Sequence, residues 1–270
     1  MSWARVSALL RKELLEYRAS PGTLAPLLVI LALTIWIPLV VLVIVPRFTG
    51  ESLGSDEDLG KLVELLSEVE PDLSLLSPEA AAQSALLQQF LLIFLIGPTV
   101  GAVSLAAYGI VGEKQQKTLE PLLTTPLTTA ELLVAKVFAA LIPAVIAEMV
   151  GVVLFFGMVA MFAHPGVLGT LLTGKTAFLL LVVSPLASLT ALQMAIAISS
   201  RVSDPRSAQQ IAVVVVLPIV ALLIGQIAGA FVIGTGILLL MAGVLLVAWL
   251  AVARLSVAVF ARETILTRWK

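Results

Sequence analysis

Six stretches of this 270-residue chain stay apolar for longer than a soluble fold can cover. They run over 24–45, 86–111, 132–162, 176–200, 208–233 and 236–253. A helix needs roughly 20 residues to cross a hydrocarbon layer about 30 Å thick. Backbone amides and carbonyls in lipid must pair within the chain, which leaves helices or a closed barrel. Barrel strands alternate apolar and polar residues, whereas these runs are continuous and too long for single strands. The sequence therefore predicts an all-α integral membrane protein built as a six-helix transmembrane bundle. Composition agrees: 60% of residues are hydrophobic and only 12% charged, against about a quarter charged in soluble domains. Pro218, Gly225, Gly229, Gly234 and Gly236 can divide the last two runs into short or re-entrant helices.

Lysine and arginine set the orientation of such a bundle. With residue 1 on the cytosolic side, Arg5, Arg11, Lys12, Arg18, Lys114, Lys117, Lys136, Arg201, Arg206, Arg254, Arg262, Arg268 and Lys270 fall inside. Only Arg47, Lys61 and Lys175 fall outside. That bias predicts an even number of spans and cytosolic N- and C-termini in the inner (plasma) membrane. The segments 112–131, 201–207 and 254–270 are then cytosolic, and 46–85 and 163–175 external. A net charge of −1 gives no reason to expect nucleic acid as a partner. Without cysteine there is no disulfide, thiolate metal site or cysteine nucleophile.

Ahead of the first span, Trp3, Val6, Leu10, Leu14 and Tyr17 recur at helical spacing within 1–22, with Arg5, Arg11, Lys12, Glu13 and Arg18 on other faces. This predicts an interfacial helix lying in the headgroup plane, ended by Pro21–Gly22; the alternative is a plain cytosolic tail. It lacks the uninterrupted apolar core and the cleavage site of a signal peptide. The external segment 46–85 carries nine of the seventeen acids, and Leu59, Leu62, Val63, Leu66 and Val69 within it follow a helical period. A small extracellular helical segment is expected, its acids forming either a solvated face or a cation-attracting vestibule.

Several motifs tempt an enzymatic reading. Gly169–Thr176 matches the phosphate-loop pattern GxxxxGK[ST], but that loop must follow a strand and open a helix. Here it joins two apolar runs on the side away from cytosolic ATP. His164 is the only histidine, and with no cysteine it cannot build an ordinary zinc site. No catalytic residue and no metal site is predicted. Glu148 lies mid-span, where a carboxyl group is expensive and must face the bundle or a wet cavity. Either it pairs with a neighbouring helix, with Gln193 and Gln226 as candidate partners, or these three residues line a translocation path. Gly97–Gly101 and Gly225–Gly229 are GxxxG patterns that permit close helix crossing, within one subunit or between two.

The loop between the second and third runs carries the most specific signal. Glu113–Lys117 favour helix, and Leu119, Leu122 and Leu123 form an apolar knob stopped by Pro126. Thr128–Glu131 fits a capping box that starts the third span. The knob is either a docking site for a partner or a loop packed on its own bundle.

This region resembles the signature of the ABC transporter type-2 permease family, a pattern like G-E-K/R-x-x-G-T-L-E-x-L-L-x-T-P with a basic residue early in the next span. Gly112, Glu113, Lys114, Thr118, Leu119, Glu120, Leu122, Leu123, Thr125, Pro126 and Lys136 carry the match; Lys117 replaces the family's glycine. The resemblance implies a transport subunit without its own ATPase site, in an exporter working by alternating access. Glu113, Lys114, Lys117, Thr118, Leu119, Glu120, Leu122, Leu123 and Pro126 would form the coupling helix seated on an ABC ATP-binding subunit. Helix 1–22 would be the elbow. Two ATP-binding subunits and a second permease copy, as a homodimer in the lipid bilayer, are the implied partners. ATP and magnesium would be held by the partner, with no cofactor on this chain. The alternative from the residues alone is a secondary transporter or channel using Glu148.

Overall fold

The computed structural model describes residues 2–19, 24–50, 53–55, 57–115, 127–199, 210, 214, 216–227 and 233–259. Among them every regular element is helical. The first helix, α1 (Trp3–Ala19), is followed by α2 (Ala25–Leu39), a wide π turn over Val40–Ile44, and α3 (Val45–Thr49). A small cap follows, with α4 (Glu57–Ser67) and a 3₁₀ turn over Pro71–Leu75. Then come α5 (Pro78–Leu91), α6 (Ile93–Gln115), α7 (Thr129–Phe162), α8 (Val167–Leu171) and α9 (Gly174–Phe178). A second π turn over Leu179–Val183 leads to α10 (Ser184–Ser199), and α11 (Val216–Ile227) and α12 (Thr235–Val259) complete the series.

Five helical stretches are long and apolar enough to cross a bilayer: Leu27–Phe48, Pro78–Gly109, Thr129–Phe162, Gly174–Ser199 and Thr235–Ser256. The fifth of the six expected spans, 208–233, is represented among the described residues by α11. That helix has twelve residues, about 18 Å long, which is short of the hydrocarbon thickness. Pro218 lies inside it, and residues 228–232, where Gly229 falls, lie outside the described residues.

The second long stretch starts at Pro78, eight residues ahead of the boundary that hydropathy suggests. The reason is local chemistry. Ser77 caps the helix by accepting a hydrogen bond from the Ala80 amide, and Pro78 occupies the first turn, where its missing N–H costs nothing. The alanines that follow are strong helix formers, so the helix forms before the sequence becomes strongly apolar. Gln83, Ser84, Gln88 and Gln89 are carried into the buried interior with it.

Each π turn precedes a proline. Pro46 cannot donate to the carbonyl of Leu42, and Pro185 cannot donate to that of Leu181. A widened turn absorbs that mismatch without ending the helix. The carbonyl of Leu42 is recovered by the side chain of Gln83, whose Nε2 donates to it at 2.8 Å.

Packing of the bundle rests on small residues. The most extensive contact is between α10 and α6, and α2 wedges against both α6 and α7. A Cβ on Gly101 would fall 2.1 Å from Cδ1 of Leu27, and one on Gly151 2.6 Å from Cδ1 of Leu31. The Gly97–Gly101 pattern thus serves a crossing within the subunit, since Gly97 faces Thr34 and Ile30 of the same α2. Phe94 and Phe155 meet edge-to-face at 5.2 Å in the centre. In the cap, Leu66 of α4 packs with Leu73 and Ala85, flanked by Leu62 and Val63, so the expected amphipathic face points inward; Val69 lies exposed.

Replacing Gly101 with Ile is expected to lower stability by about 2 kcal/mol, because a packed methylene cluster has no room for it. Gly157 has open space around its Cβ position, so Gly157→Ile should shift the thermal midpoint of the purified protein far less.

Candidate functional site

Helix α1 is not the free amphipathic rod that its pattern suggests. It packs against α7. Val6 and Leu9 are buried together with Leu132 and Ala135, and the same stripe continues through Glu13 and Tyr17. Glu13 was expected on a solvated face; its side chain is 2% exposed. Trp3, expected within the apolar stripe, is exposed instead. The rotation has a physical reason. Glu13 finds a buried cation, and burying a paired carboxylate beside that cation is cheaper than leaving the cation alone.

That cation is Lys136, in the second turn of α7 and 4% exposed. Its Nζ lies 3.0 Å from Oε1 of Glu13 on α1 and 2.8 Å from Oε2 of Glu113 on α6. It also donates to the Gly109 carbonyl at 2.9 Å. Lys12 donates to Oε1 of Glu113 at 2.8 Å and pairs with Glu16 one turn on. Two carboxylates and two ammonium groups from three helices are thus interleaved in one buried knot. A Cβ on Gly109 would lie 3.3 Å from the Tyr17 hydroxyl and 3.5 Å from Oε2 of Glu13, so a glycine here lets α1 approach α6. Tyr17 reaches over to the Leu105 carbonyl.

The two acids respond to this knot differently. Burial pushes the carboxyl of Glu13 up, against the pull of Lys136. Burial also opposes ionisation of Glu113, but Lys136 and Lys12 outweigh it and hold that carboxyl below the usual range. Lys12 is held above the ordinary lysine value: burial lowers it, and the acids around it, Glu113 first, more than restore it.

A second attachment lies at the start of α7. The expected capping box is present: Thr128 accepts from the Glu131 amide at 3.2 Å, and Glu131 accepts from the Thr128 amide at 2.9 Å. The other oxygen of Glu131, Oε1, accepts from the backbone amide of Ser2, at the start of α1, and Arg5 lies 3.9 Å from Oε2. Glu113 stands just before the loop and Glu131 just after it. Helix α1 is therefore tied by charge to both flanks of the segment between them. The coupling-loop residues Lys117, Thr118, Leu119, Glu120, Leu122, Leu123 and Pro126 lie outside the described residues, as does the side chain of Lys114.

The other sequence candidates are distributed elsewhere. Glu148 is fully buried, as is Ser184 on α10 beside it, yet neither carboxyl oxygen nor the Ser184 hydroxyl completes a hydrogen bond among the described residues. No bond joins Glu148 to Gln193 or Gln226. Gln226 instead lines a small crevice of about 30 Å³ with Gln88, Lys175 and Thr176. Lys175, the lysine of the phosphate-loop pattern, is ion-paired with Glu70, which also accepts from Gln88. The pattern itself lies on α8 and α9 with no strand before it, so its amine is engaged by protein and its backbone has the wrong form for phosphate.

The sequence matches the family described as ABC-2 family transporter protein over residues 7–245. The chain belongs to the ABC-2 transporter family. Comparison with curated proteins and with solved structures finds no match. Members of this family are membrane components that generally pair with an ATP-binding subunit. The match begins within α1 and covers the whole knot around Lys136.

Substituting Lys136 by Met would leave Glu13 and Glu113 facing each other in a buried space. A loss of about 3 kcal/mol is expected, the usual cost of removing one partner from a buried pair. Thermal unfolding of the purified chain should show it, and the triple change Lys136→Met, Glu13→Gln and Glu113→Gln should recover most of the loss.

Proposed function

We propose that this chain is the transmembrane permease subunit of an ATP-driven ABC exporter. Two copies pair in the inner (plasma) membrane with both termini cytosolic, and each binds one ATP-binding subunit through the coupling segment between Glu113 and Pro126. In this reading the bundle has six spans, with 208–233 completing the fifth. ATP and magnesium sit on the partner, and this chain converts closure of the ATPases into alternating access. Glu148, Gln193 and Gln226 mark the translocation path. The positive-inside bias supports the orientation, and family membership supports the pairing with an ATPase.

One observation carries the mechanical part: α1 is bonded to both flanks of the coupling segment, through Glu13 with Lys136 and Glu113 on one side and through Ser2 and Arg5 with Glu131 on the other. A segment anchored at both ends to a buried ion network moves its neighbours as a unit instead of flexing alone. Force arriving at residues 116–126 would enter α6, α7 and α1 together. The ion network acts here by positioning helices and takes no part in ATP chemistry.

Co-expression with an ATP-binding subunit encoded beside it should yield a stable complex. Leu119→Asp combined with Leu122→Asp should release the ATPase while the permease keeps its elution profile and thermal midpoint. Retention of a functional complex by that variant, or substrate movement driven by an ion gradient with no ATPase present, would overturn the proposal.

A further inference from the structure

At the end of the bundle away from Lys136 lies an open cavity of about 240 Å³. It sits where the end of the first long helical stretch meets the start of α5 and the residues just past α7. Gln83 and Glu113 are thirty positions apart along the α5–α6 stretch, so the two sites are separated by about 45 Å of helix.

A guanidinium and an imidazole share this cavity. Arg47, on α3, and His164, two residues past the end of α7, both line it. The Arg47 guanidinium forms no hydrogen bond or ion pair among the described residues, and the imidazole of His164 forms none either. Their backbones, by contrast, are pinned to each other. Gln83 donates from Nε2 to the carbonyl of Leu42, within the π turn that leads to Arg47. Through Oε1 the same side chain accepts from the backbone amide of His164 at 2.9 Å. One buried glutamine therefore holds both walls in register. The third wall is fixed by Glu79, whose carboxylate accepts from the amides of Leu53 and Gly54 at 2.9 and 3.2 Å.

A cavity with braced walls, a guanidinium and an imidazole, neither of them paired among the described residues, is built to take an anion with several acceptor oxygens. Its surroundings identify the source. Val43 and Pro46 give it an apolar side. It opens at the end of a helix whose outward residues Trp36, Ile37 and Val40 are exposed, next to Phe48, which is 88% exposed. An arginine at the end of an apolar span reaches its guanidinium into the headgroup layer.

We propose that Arg47 and His164, braced by Gln83, form a binding site for the phosphate-ester headgroup of an anionic membrane lipid, with its acyl chains lying along the exposed face of α2. The carboxylate of Glu79 in the same wall disfavours a second negative charge, so a phosphodiester fits better than a phosphomonoester. The site does not depend on the ATPase partnership and is tested on this chain alone.

The delipidated full-length chain is titrated in neutral detergent with dioleoylphosphatidylglycerol, dioleoylphosphatidylcholine or inorganic phosphate, and bound species are counted by native mass spectrometry. One phosphatidylglycerol is expected to bind ahead of all others. Arg47→Gln combined with His164→Gln should weaken that first binding by about tenfold, the order expected from losing one cation and one hydrogen-bond donor at a lipid surface. Arg254→Gln, an exposed charge at the far end, should leave it unchanged. Thermal unfolding confirms that the variants are folded, and each single variant supplies a reading if the double one is not. The site is overturned if the double variant binds phosphatidylglycerol within about twofold of the parent. It is equally overturned if inorganic phosphate competes as well as the lipid, which would mark a free-anion site, or if phosphatidylcholine binds as tightly, which would leave no role for net charge.

Discussion

A single ammonium group organises the end of this protein that holds α1. Lys136 enters α7 among Leu133, Val134, Ala135, Val137 and Phe138, and no apolar neighbour can compensate its charge. Leaving it unpaired in that position costs several kcal/mol. Two acids and a backbone carbonyl converge on it, from α1 and α6. Glu13 draws in α1, Glu113 fixes the end of α6, and the absent side chain of Gly109 provides the clearance. The hydrophobic contacts of Val6 and Leu9 with Leu132 and Ala135 would hold α1 against α7 in several rotations; the ion knot selects one.

This explains what could and could not be read from residues alone. The long apolar stretches, the capping box at Thr128–Glu131 and the helical character of 57–67 follow from short-range rules that operate whatever the tertiary context. The family signature is local as well, and the match over residues 7–245 agrees with it. The rotation of α1 was not legible. Its pattern holds two overlapping stripes, one through Leu10 and Leu14 and one through Leu9, Glu13 and Tyr17. Only the position of Lys136 in space decides between them. A signal did exist: one lysine early in an apolar span demands an acid, and Glu13 and Glu113 were among the few on the same side.

The buried glutamines of α5 were missed for a related reason. Averaged hydropathy leaves Gln83 and Ser84 ahead of the span that starts at residue 86, yet the helix is dictated by the Ser77 cap, Pro78 and three alanines. Once inside, Gln83 becomes a bracket between two backbone groups, and Gln88 shares Glu70 with Lys175. Glu148 shows the opposite case. Its burial was expected from cost alone, but its neighbour proved to be Ser184 instead of a glutamine, because Gln193 lies two and a half turns further along α10.

The widened turn at Val40–Ile44 has a geometric consequence for everything beyond it. A turn closed by one extra residue advances the chain's angular phase by roughly 100° relative to a regular helix. The azimuth at which Arg47 leaves the first long helix is therefore metered by residue count, independently of side-chain chemistry. Deleting any one of those five residues, three valines, a leucine and an isoleucine, would conserve hydropathy almost perfectly and still swing the guanidinium about a quarter of the way around the axis. In this stretch, chain length itself is the conserved quantity to look for, ahead of the identity of any single residue.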